Sequence, residues 1–171
     1  KKGELKVGDE IEIKPGIAET QAHQLSYHTI KTKIVSIFRG SNPINKATPG
    51  GSLAIETELD NILTKSDSLS GCIASRVGNL PEITTMLKLK YDLFSSLVGE
   101  EKEVKIEGLK LSEMIMLSVN TTTTVGQIKK IDKNNIDLSL RIPVVPIKGD
   151  SVGIARNIHG HWRLIGFGEI V

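Results

Sequence analysis

The stretch "TPGGSLAIETELDNILTKSD", residues 48–67, places a glycine pair after a proline, where a phosphate-binding loop is one possibility. Such a loop needs converging backbone N–H groups and a Gly-Lys pair that reaches the phosphate oxygens. That pattern fails after Gly50 and Gly51, because Glu56 and Thr57 stand where Gly-Lys is required. No dinucleotide fingerprint opens a helix here either. The segment is therefore predicted to be a turn between two strands.

The histidines and the single cysteine are the side chains that suggest a metal site. His159 and His161 lie two positions apart and would share one face of a strand, whereas His23, His28 and Cys72 are distant in sequence. A zinc site needs three or four converging ligands. We predict no metal, and we interpret His159 and His161 as a solvated pair at a hairpin tip.

Catalytic groups are also poorly supported by the sequence. Asp60 and Asp67 have no accompanying nucleophile or base, and they are expected to cap turns through their side chains. The run Thr121 to Thr124 is typical of a strand, and Cys72 in "GCIAS" is expected to be a small core residue. The chain itself is predicted not to be an enzyme.

Binding is better supported, in the segment "ARNIHGHWRLIGFG". Cationic and titratable side chains surround the only tryptophan, Trp162; they are Arg156, His159, His161 and Arg163. Cations beside an aromatic ring suit phosphate contacts and base stacking, or a contact between domains. Alternatively, Trp162 fills a core while Arg163 pairs with an acid. Simple alternation places Trp162 and Leu164 on one strand face with Gly166, and we expect Trp162 to be structural first.

The composition bounds the class of protein. The 171 residues include 39% hydrophobic and 4% aromatic residues, with a net charge of +2 and an estimated pI of about 8.6. A packed core is possible, and nucleic-acid contact is permitted without being indicated. One cysteine fits a reducing, cytoplasmic location, and neither a membrane-spanning run nor a signal peptide is expected. The abrupt start suggests a piece of a longer protein.

The elements that must position these residues are strands, because the apolar period is two. In "DEIEIK", Ile11 and Ile13 alternate with acidic and basic residues, so Glu12 and Lys14 are expected on the wet face. Similar runs cover 86–93 and 136–142. Only 93–98 has the pattern of a helical turn. Many short strands between Gly and Asn turns predict antiparallel barrels or sandwiches.

The most favourable domain boundary is "VGNLPEI", residues 77–83, where a turn precedes a proline. The prediction is a first unit over 1–80 and a second over 81–171, each the size of a six-stranded barrel. A single large sandwich is the alternative. Glycine turns that precede the strands in 7–13, 49–55 and 148–154 predict corners of similar geometry with positive φ.

Several motifs together resemble one family, the gamma subunit of archaeal and eukaryotic translation initiation factor 2. The resemblance covers essentially the whole chain, and the motifs occur in the family's order: "LKVGDEIEIKPGI", "IKTKIVSIF", "ATPGGSLAIETELDNILTKSDSLSG", "GNLPEI" and "HWRLIGFGEI". The chain departs from the family pattern at Glu56, Asn61, Cys72 and Phe167. Glu56 adds a negative charge near the surface that would face tRNA.

The resemblance implies an all-β fold of two consecutive antiparallel six-stranded-type β-barrels, like domains II and III of elongation factor Tu. The first strand of the first barrel is expected to be missing. The family's GTPase domain is also expected to be absent, so GTP and Mg²⁺ would bind only there and no cofactor is expected in this chain.

The resemblance also implies partners and contact residues. The partners would be initiator methionyl-tRNA, the alpha and beta subunits and the small ribosomal subunit, with no membrane. The first barrel would hold the tRNA acceptor end and dock the alpha subunit. The expected tRNA-binding residues are Ile37, Phe38, Arg39, Gly50, Gly51 and Thr57. Two rivals are another tRNA-delivery GTPase, such as a selenocysteine-specific factor, and a protein-interaction barrel pair with no RNA role.

Overall fold

The computed structural model describes residues 2–21, 24–97 and 104–171, with the backbone alone described at 20, 21, 24 and 25. The chain separates into two compact units, Lys1–Leu80 and Pro81–Val171. Every strand pairing within these ranges is antiparallel. The predicted all-β class is confirmed.

The described residues of the first unit form seven strands of different lengths and one helical segment. The strands are β1 Leu5–Lys6, β2 Glu10–Gln21, β3 Gln24–Arg39, β4 Asn42–Pro43, β5 Lys46–Ala47, β6 Ala54–Thr57 and β7 Ile73–Arg76. A five-stranded sheet has the order β4-β3-β2-β7, with β6 also on β3, and β1 pairs with β5 separately. In the described residues this unit is thus a sheet plus a ribbon, without the continuous ladder of a closed six-stranded barrel.

The centre of the first unit is the long β2–β3 hairpin. Its register shifts between Ile13 and Ile17, where Gly16 has φ +89°. A Cβ at Gly16 would lie 1.9 Å from the carbonyl oxygen of His28, so this close approach of two backbones requires glycine. Apolar side chains of this hairpin and of β5 form the core of the first unit; they are Ile11, Ile13, Ile30, Ile34, Ile37 and Ala47.

The expectation that Glu12 and Lys14 lie on a wet strand face is wrong. Each is only 3% exposed, although Ile11 and Ile13 do face the core as predicted. The reason is tertiary: the chain segment that ends at Leu80 covers the second face of β2, and the Leu80 N–H donates to Glu12 Oε1 at 2.9 Å. The alternating pattern therefore predicted the strand correctly, but it did not predict that both faces of the strand are buried.

The second unit is a closed six-stranded barrel with the strand order β10-β11-β8-β13-β12-β9. The strands are β8 Thr84–Leu93, β9 Met114–Val119, β10 Thr122–Asp132, β11 Asn135–Val144, β12 Ser151–Ile158 and β13 His161–Ile170. Inward-facing Leu, Ile and Val side chains fill it, and Leu89, Ile115, Leu117, Leu138, Ile154 and Ile165 are all 0% exposed. Closure gives each strand two hydrogen-bonded neighbours and removes sheet edges.

The helical prediction was misplaced along the chain. Strand β8 ends at Leu93, and the following residues pair in extended form: the Phe94 N–H donates to the Ile165 carbonyl and the Leu97 N–H to the Val104 carbonyl, both at 2.9 Å. Helical turns occur instead at Asn61–Asp67, a 3₁₀ segment with a kink. Such long-range pairing overrides a weak local preference.

The role predicted for Asp60 is confirmed. Its Oδ1 accepts a hydrogen bond from the Ile62 N–H at 2.9 Å and caps the 3₁₀ segment. The glycine corners also have the predicted geometry, with φ of +90° at Gly8, +126° at Gly50 and +83° at Gly149.

Candidate nucleic-acid interface

The end of β3 carries the aromatic and the cation that were predicted to face RNA. Phe38 is half-buried and lies in register with Pro43 of β4 on one side and Ala54 of β6 on the other. Arg39, the last residue of β3, is exposed beside the turn at Gly40. Phe38 is thus flanked by the small residues Pro43 and Ala54, and its side chain is partly exposed.

Ile37 belongs to the core and not to this surface. It is 0% exposed and packs with the buried isoleucines of the first unit. Its carbonyl accepts the Ile44 N–H at 2.9 Å. Of the three predicted residues on this strand, Phe38 and Arg39 can therefore reach a ligand with their side chains, whereas Ile37 supports the strand from below.

Gly50 and Gly51 lie in the exposed connection between β5 and β6, both with positive φ. The connection leads directly into Ala54, the residue paired with Phe38, so the structure places the glycine turn upstream of the same sheet edge. Thr57 lies at the far end of β6, opposite Ile34, where its Oγ1 accepts the Leu59 N–H at 3.4 Å. Thr57 is thus occupied within a turn and is separated from Phe38 along the strand.

Glu56 introduces a fixed acid into this surface. Its Oε2 accepts a hydrogen bond of 2.6 Å from the Ser36 hydroxyl on the neighbouring strand. Ser36 and Phe38 are two positions apart on β3, so they project on the same side of the sheet. The sequence identified Glu56 as a departure, but its partner Ser36 became evident only from the register.

Arg156, the first of the cationic residues predicted near Trp162, is anchored within the second unit. Its Nε donates to Glu113 Oε1 at 2.5 Å, and one terminal nitrogen donates to Glu113 Oε2 at 3.2 Å. Its terminal nitrogens also donate to the carbonyls of Glu107 at 2.9 Å and Gly108 at 3.1 Å. This bidentate pair is typical of a structural arginine, and it fastens the segment before β9 to β12.

His159 and His161 lie at the tip of the β12–β13 hairpin, as predicted. His159 has φ +51° and forms the turn with Gly160, whose N–H donates to Asn157 Oδ1 at 2.9 Å. His159 is therefore in the turn rather than on a strand face with His161. Both imidazoles are exposed, and Arg163 is exposed further along β13.

The expectation that Trp162 fills the core is wrong. Trp162 is 39% exposed, and Leu164 and Phe167 on the same strand are each 50% exposed. The reason is a β-bulge, because Ile154 pairs with Gly166 and Ala155 with Leu164, which leaves Ile165 as an extra residue on β13. An extra residue reverses the alternation, so Ile165 turns inward instead.

β13 therefore exposes three large apolar side chains, Trp162, Leu164 and Phe167, among the polar residues of the same strand. The Phe167 ring lies 6.2 Å from the Phe94 ring, centroid to centroid, at an interplanar angle of 46°. Leu164 covers the backbone at Gly153, where an added Cβ would lie 3.6 Å from its Cδ1. Exposed apolar side chains on neighbouring positions are typical of a contact surface for another molecule or domain.

In the part of the chain that the structure describes, the remaining reactive groups do not gather into a further site. Cys72 is partly buried, which raises the pKa of its thiol, and the S–H group donates to the Gly16 carbonyl at 3.7 Å. Within the described ranges, no three His, Cys, Asp or Glu side chains come together as metal ligands would. His23 lies outside these ranges. None of the described helical segments is long and apolar enough to cross a membrane.

This chain is similar in sequence to translation initiation factor subunits over nearly all of its length. A family model described as "Initiation factor eIF2 gamma, C terminal" matches residues 85–170. Translation initiation factor 2 subunit gamma of Methanococcus maripaludis strain S2 is 45% identical over 169 residues, 99% of this chain and 41% of the relative. The same subunit of Pyrococcus furiosus is 42% identical over 168 residues, 98% of this chain and 41% of the relative. The chain thus spans about two-fifths of these relatives' length.

A solved structure supports the fold independently. A bacterial selenocysteine-specific elongation factor superposes with a TM-score of 0.71, covering 98% of this chain and 23% of that one, at 19% sequence identity. At that identity the likeness concerns the fold alone. The family model, in contrast, matches half of the chain, and the curated relatives match nearly all of it. The chain belongs to the translation initiation factor 2 gamma family.

Proposed function

We propose that this chain is the part of an initiation factor 2 gamma subunit that holds the acceptor end of initiator methionyl-tRNA, with Phe38 and Arg39 as the main contacts. The full factor delivers that tRNA to the small ribosomal subunit in the cytoplasm. GTP and Mg²⁺ bind in the GTPase domain of the longer protein, and this chain is not itself an enzyme.

The observation that carries the proposal is the placement of Phe38 and Arg39 at the end of β3. A half-buried aromatic between small residues is suited to stack on one unpaired base, and such stacking contributes about 1–3 kcal/mol per base. The exposed guanidinium next to it can meet a phosphate. The glycine turn before β6 leads into Ala54, the small residue that lies opposite Phe38.

The alpha and beta subunits are the proposed protein partners. The exposed Trp162, Leu164 and Phe167 of β13 favour a contact with protein, because these three side chains are uncharged and Arg156 nearby is already committed to Glu113. We therefore assign the RNA contact to the first unit. The second unit contributes contacts with other domains or subunits.

Filter binding of charged initiator tRNA by the intact factor tests this assignment. Phe38→Ala should weaken binding roughly 5- to 150-fold, the equivalent of one lost stacking contact. Arg39→Gln should weaken binding and lower the slope of log affinity against log salt by about one phosphate contact. Val35→Ala, on the same strand and 46% exposed, is the matched control and should bind like wild type.

A variant at Glu56 should change tRNA binding in the opposite direction. Glu56→Gln removes a negative charge from the same face and should strengthen tRNA binding, most clearly at low salt. If neither Phe38, Arg39 nor Glu56 affects tRNA binding, the first unit does not contact RNA. The remaining explanation would be a pair of protein-interaction domains.

A further inference from the structure

Two opposite charges are buried together on β2 in the first unit. Glu12 and Lys14 are each 3% exposed, and Lys14 Nζ lies 3.7 Å from Glu12 Oε2. Burying charges costs free energy that the attraction between them only partly offsets, so a well-packed apolar pair is often as stable or more stable. A buried ion pair therefore calls for a reason beyond stability.

The reason lies in what the two side chains bind. The Leu80 N–H donates to Glu12 Oε1 at 2.9 Å, and Lys14 Nζ donates to the Leu80 carbonyl at 3.3 Å. The Gly78 backbone also helps to lower the pKa of the Glu12 carboxyl. The two side chains thus satisfy both polar backbone groups of Leu80, much as a neighbouring strand would. Apolar residues of the same size could not do this.

The segment held in this way has no strand partner of its own. After β7 the chain turns at Gly78, where φ is +85°, and the Asn79 N–H donates to the Arg76 carbonyl at 3.1 Å. Residues 78–80 form no strand, and Leu80 is the last residue of the first unit. Segments without ladder hydrogen bonds open at low free energy unless side chains hold them.

We propose that Glu12 and Lys14 form a latch that closes the Gly78–Leu80 segment onto β2. The latch opens as one local unit when either charge is lost, while the rest of the first unit stays folded. It determines how firmly the chain is held at the point where the first unit ends. This is independent of the RNA contact, which lies on β3 and β6.

Hydrogen–deuterium exchange of the whole chain tests the latch. In Lys14→Met and in Glu12→Gln, amides of residues 78–80 should exchange at least ten-fold faster than in wild type. Amides of β3 and of the barrel strands should keep their protection. Glu10→Gln, an exposed acid on the same strand, is the matched control and should leave residues 78–80 unchanged.

The double variant Glu12→Gln/Lys14→Met distinguishes a latch from two separate contacts. Since the pair acts as a unit, residues 78–80 of the double variant should exchange no faster than in the more affected single variant. Multiplied effects would overturn the proposal. So would exchange no faster than in Glu10→Gln, or an equal loss of protection throughout the first unit. If Lys14→Met does not fold, the isosteric Glu12→Gln alone decides by the same exchange criteria.

Discussion

The two units bury their strands in different ways. Among the described residues, six strands of the second unit close into a barrel around fifteen buried apolar residues, whereas six such residues form the core of the open sheet in the first unit. Each unit also uses an ion pair to hold a segment outside its strands. The pair is fully buried in the first unit, Glu12 with Lys14, and partly exposed in the second, Arg156 with Glu113.

The comparison shows what closure achieves. A closed barrel satisfies its backbone groups by its own ladder and draws its stability from a large core. The open sheet has a second face to cover, and polar side chains bind the segment that covers it. We therefore expect the second unit to depend mainly on apolar volume and the first on a few specific backbone and charge contacts.

The largest effect is expected in the barrel core. Leu117→Ala removes a side chain that is 0% exposed, and it should lower the free energy of unfolding of the second unit by about 3–5 kcal/mol. Urea titration followed by two-dimensional NMR, with resonances from each unit, measures the loss. Leu164→Ala, 50% exposed on β13, is the control. Equal losses in the two variants would contradict the assigned core.

A second prediction concerns the bulge of the β2–β3 hairpin. Gly16→Ala should destabilise the first unit by roughly 2–5 kcal/mol, from positive φ and from overlap with the His28 carbonyl. Gly8→Ala is a matched control, because Gly8 has φ +90° and no atom within 4 Å of an added Cβ. It should lose only about 1–2 kcal/mol. Identical urea midpoints for the two variants would refute the close approach.

The ion pair of the second unit should contribute less. Arg156→Met removes hydrogen bonds to the Glu113 carboxylate and to two carbonyls, and a loss of about 1.5–3 kcal/mol is expected. Arg156→Lys keeps the positive charge but not the planar guanidinium that binds Glu113 with two hydrogen bonds. Its loss of stability should therefore be smaller than that of Arg156→Met but not zero. Thermal melts compare the two. Full recovery by lysine would show that charge alone matters.

Acid should weaken the first unit through Glu12. Burial alone would raise the pKa of Glu12, but the Leu80 and Gly78 N–H groups and the nearby Lys14 and Lys31 charges hold it below its usual value of 4.5. The stabilisation is therefore present above pH 4.5 and is lost as pH falls through the lower folded-state pKa. The stability difference between wild type and Glu12→Gln should shrink over that range in urea titrations. If the stability difference between the two proteins grows on acidification, the pKa of Glu12 is raised in the folded state and not lowered.

The smallest effect is expected at Trp162. Because its side chain is 39% exposed at a hairpin end, Trp162→Ala should cost less than about 1 kcal/mol of stability. Binding of partner subunits by the intact factor, measured by calorimetry, should change more than stability does. A loss of several kcal/mol in the free energy of unfolding would contradict this prediction and would indicate that Trp162 is a core residue.

Much of this protein was determined by its sequence alone. The period-two alternation in "DEIEIK" and "IDLSLRI" predicts strands, because one apolar face per strand is a local property of the chain. Glycine corners and the Asp60 cap follow from short-range sterics and hydrogen bonding. The family is also evident from motifs in order, and the same resemblance predicts Phe38 and Arg39 as tRNA contacts.

The tertiary structure decided what no local pattern contains. The alternation in a strand shows which side chains share a face but not what covers that face. It therefore predicts that Glu12 and Lys14 are solvated, whereas both side chains are hydrogen-bonded to Leu80. One extra residue on β13 reversed the faces and brought Trp162 to the surface. Barrel closure likewise depends on pairing between strands distant in sequence. These features arise from contacts between remote segments, whose free energies a single strand's pattern does not encode.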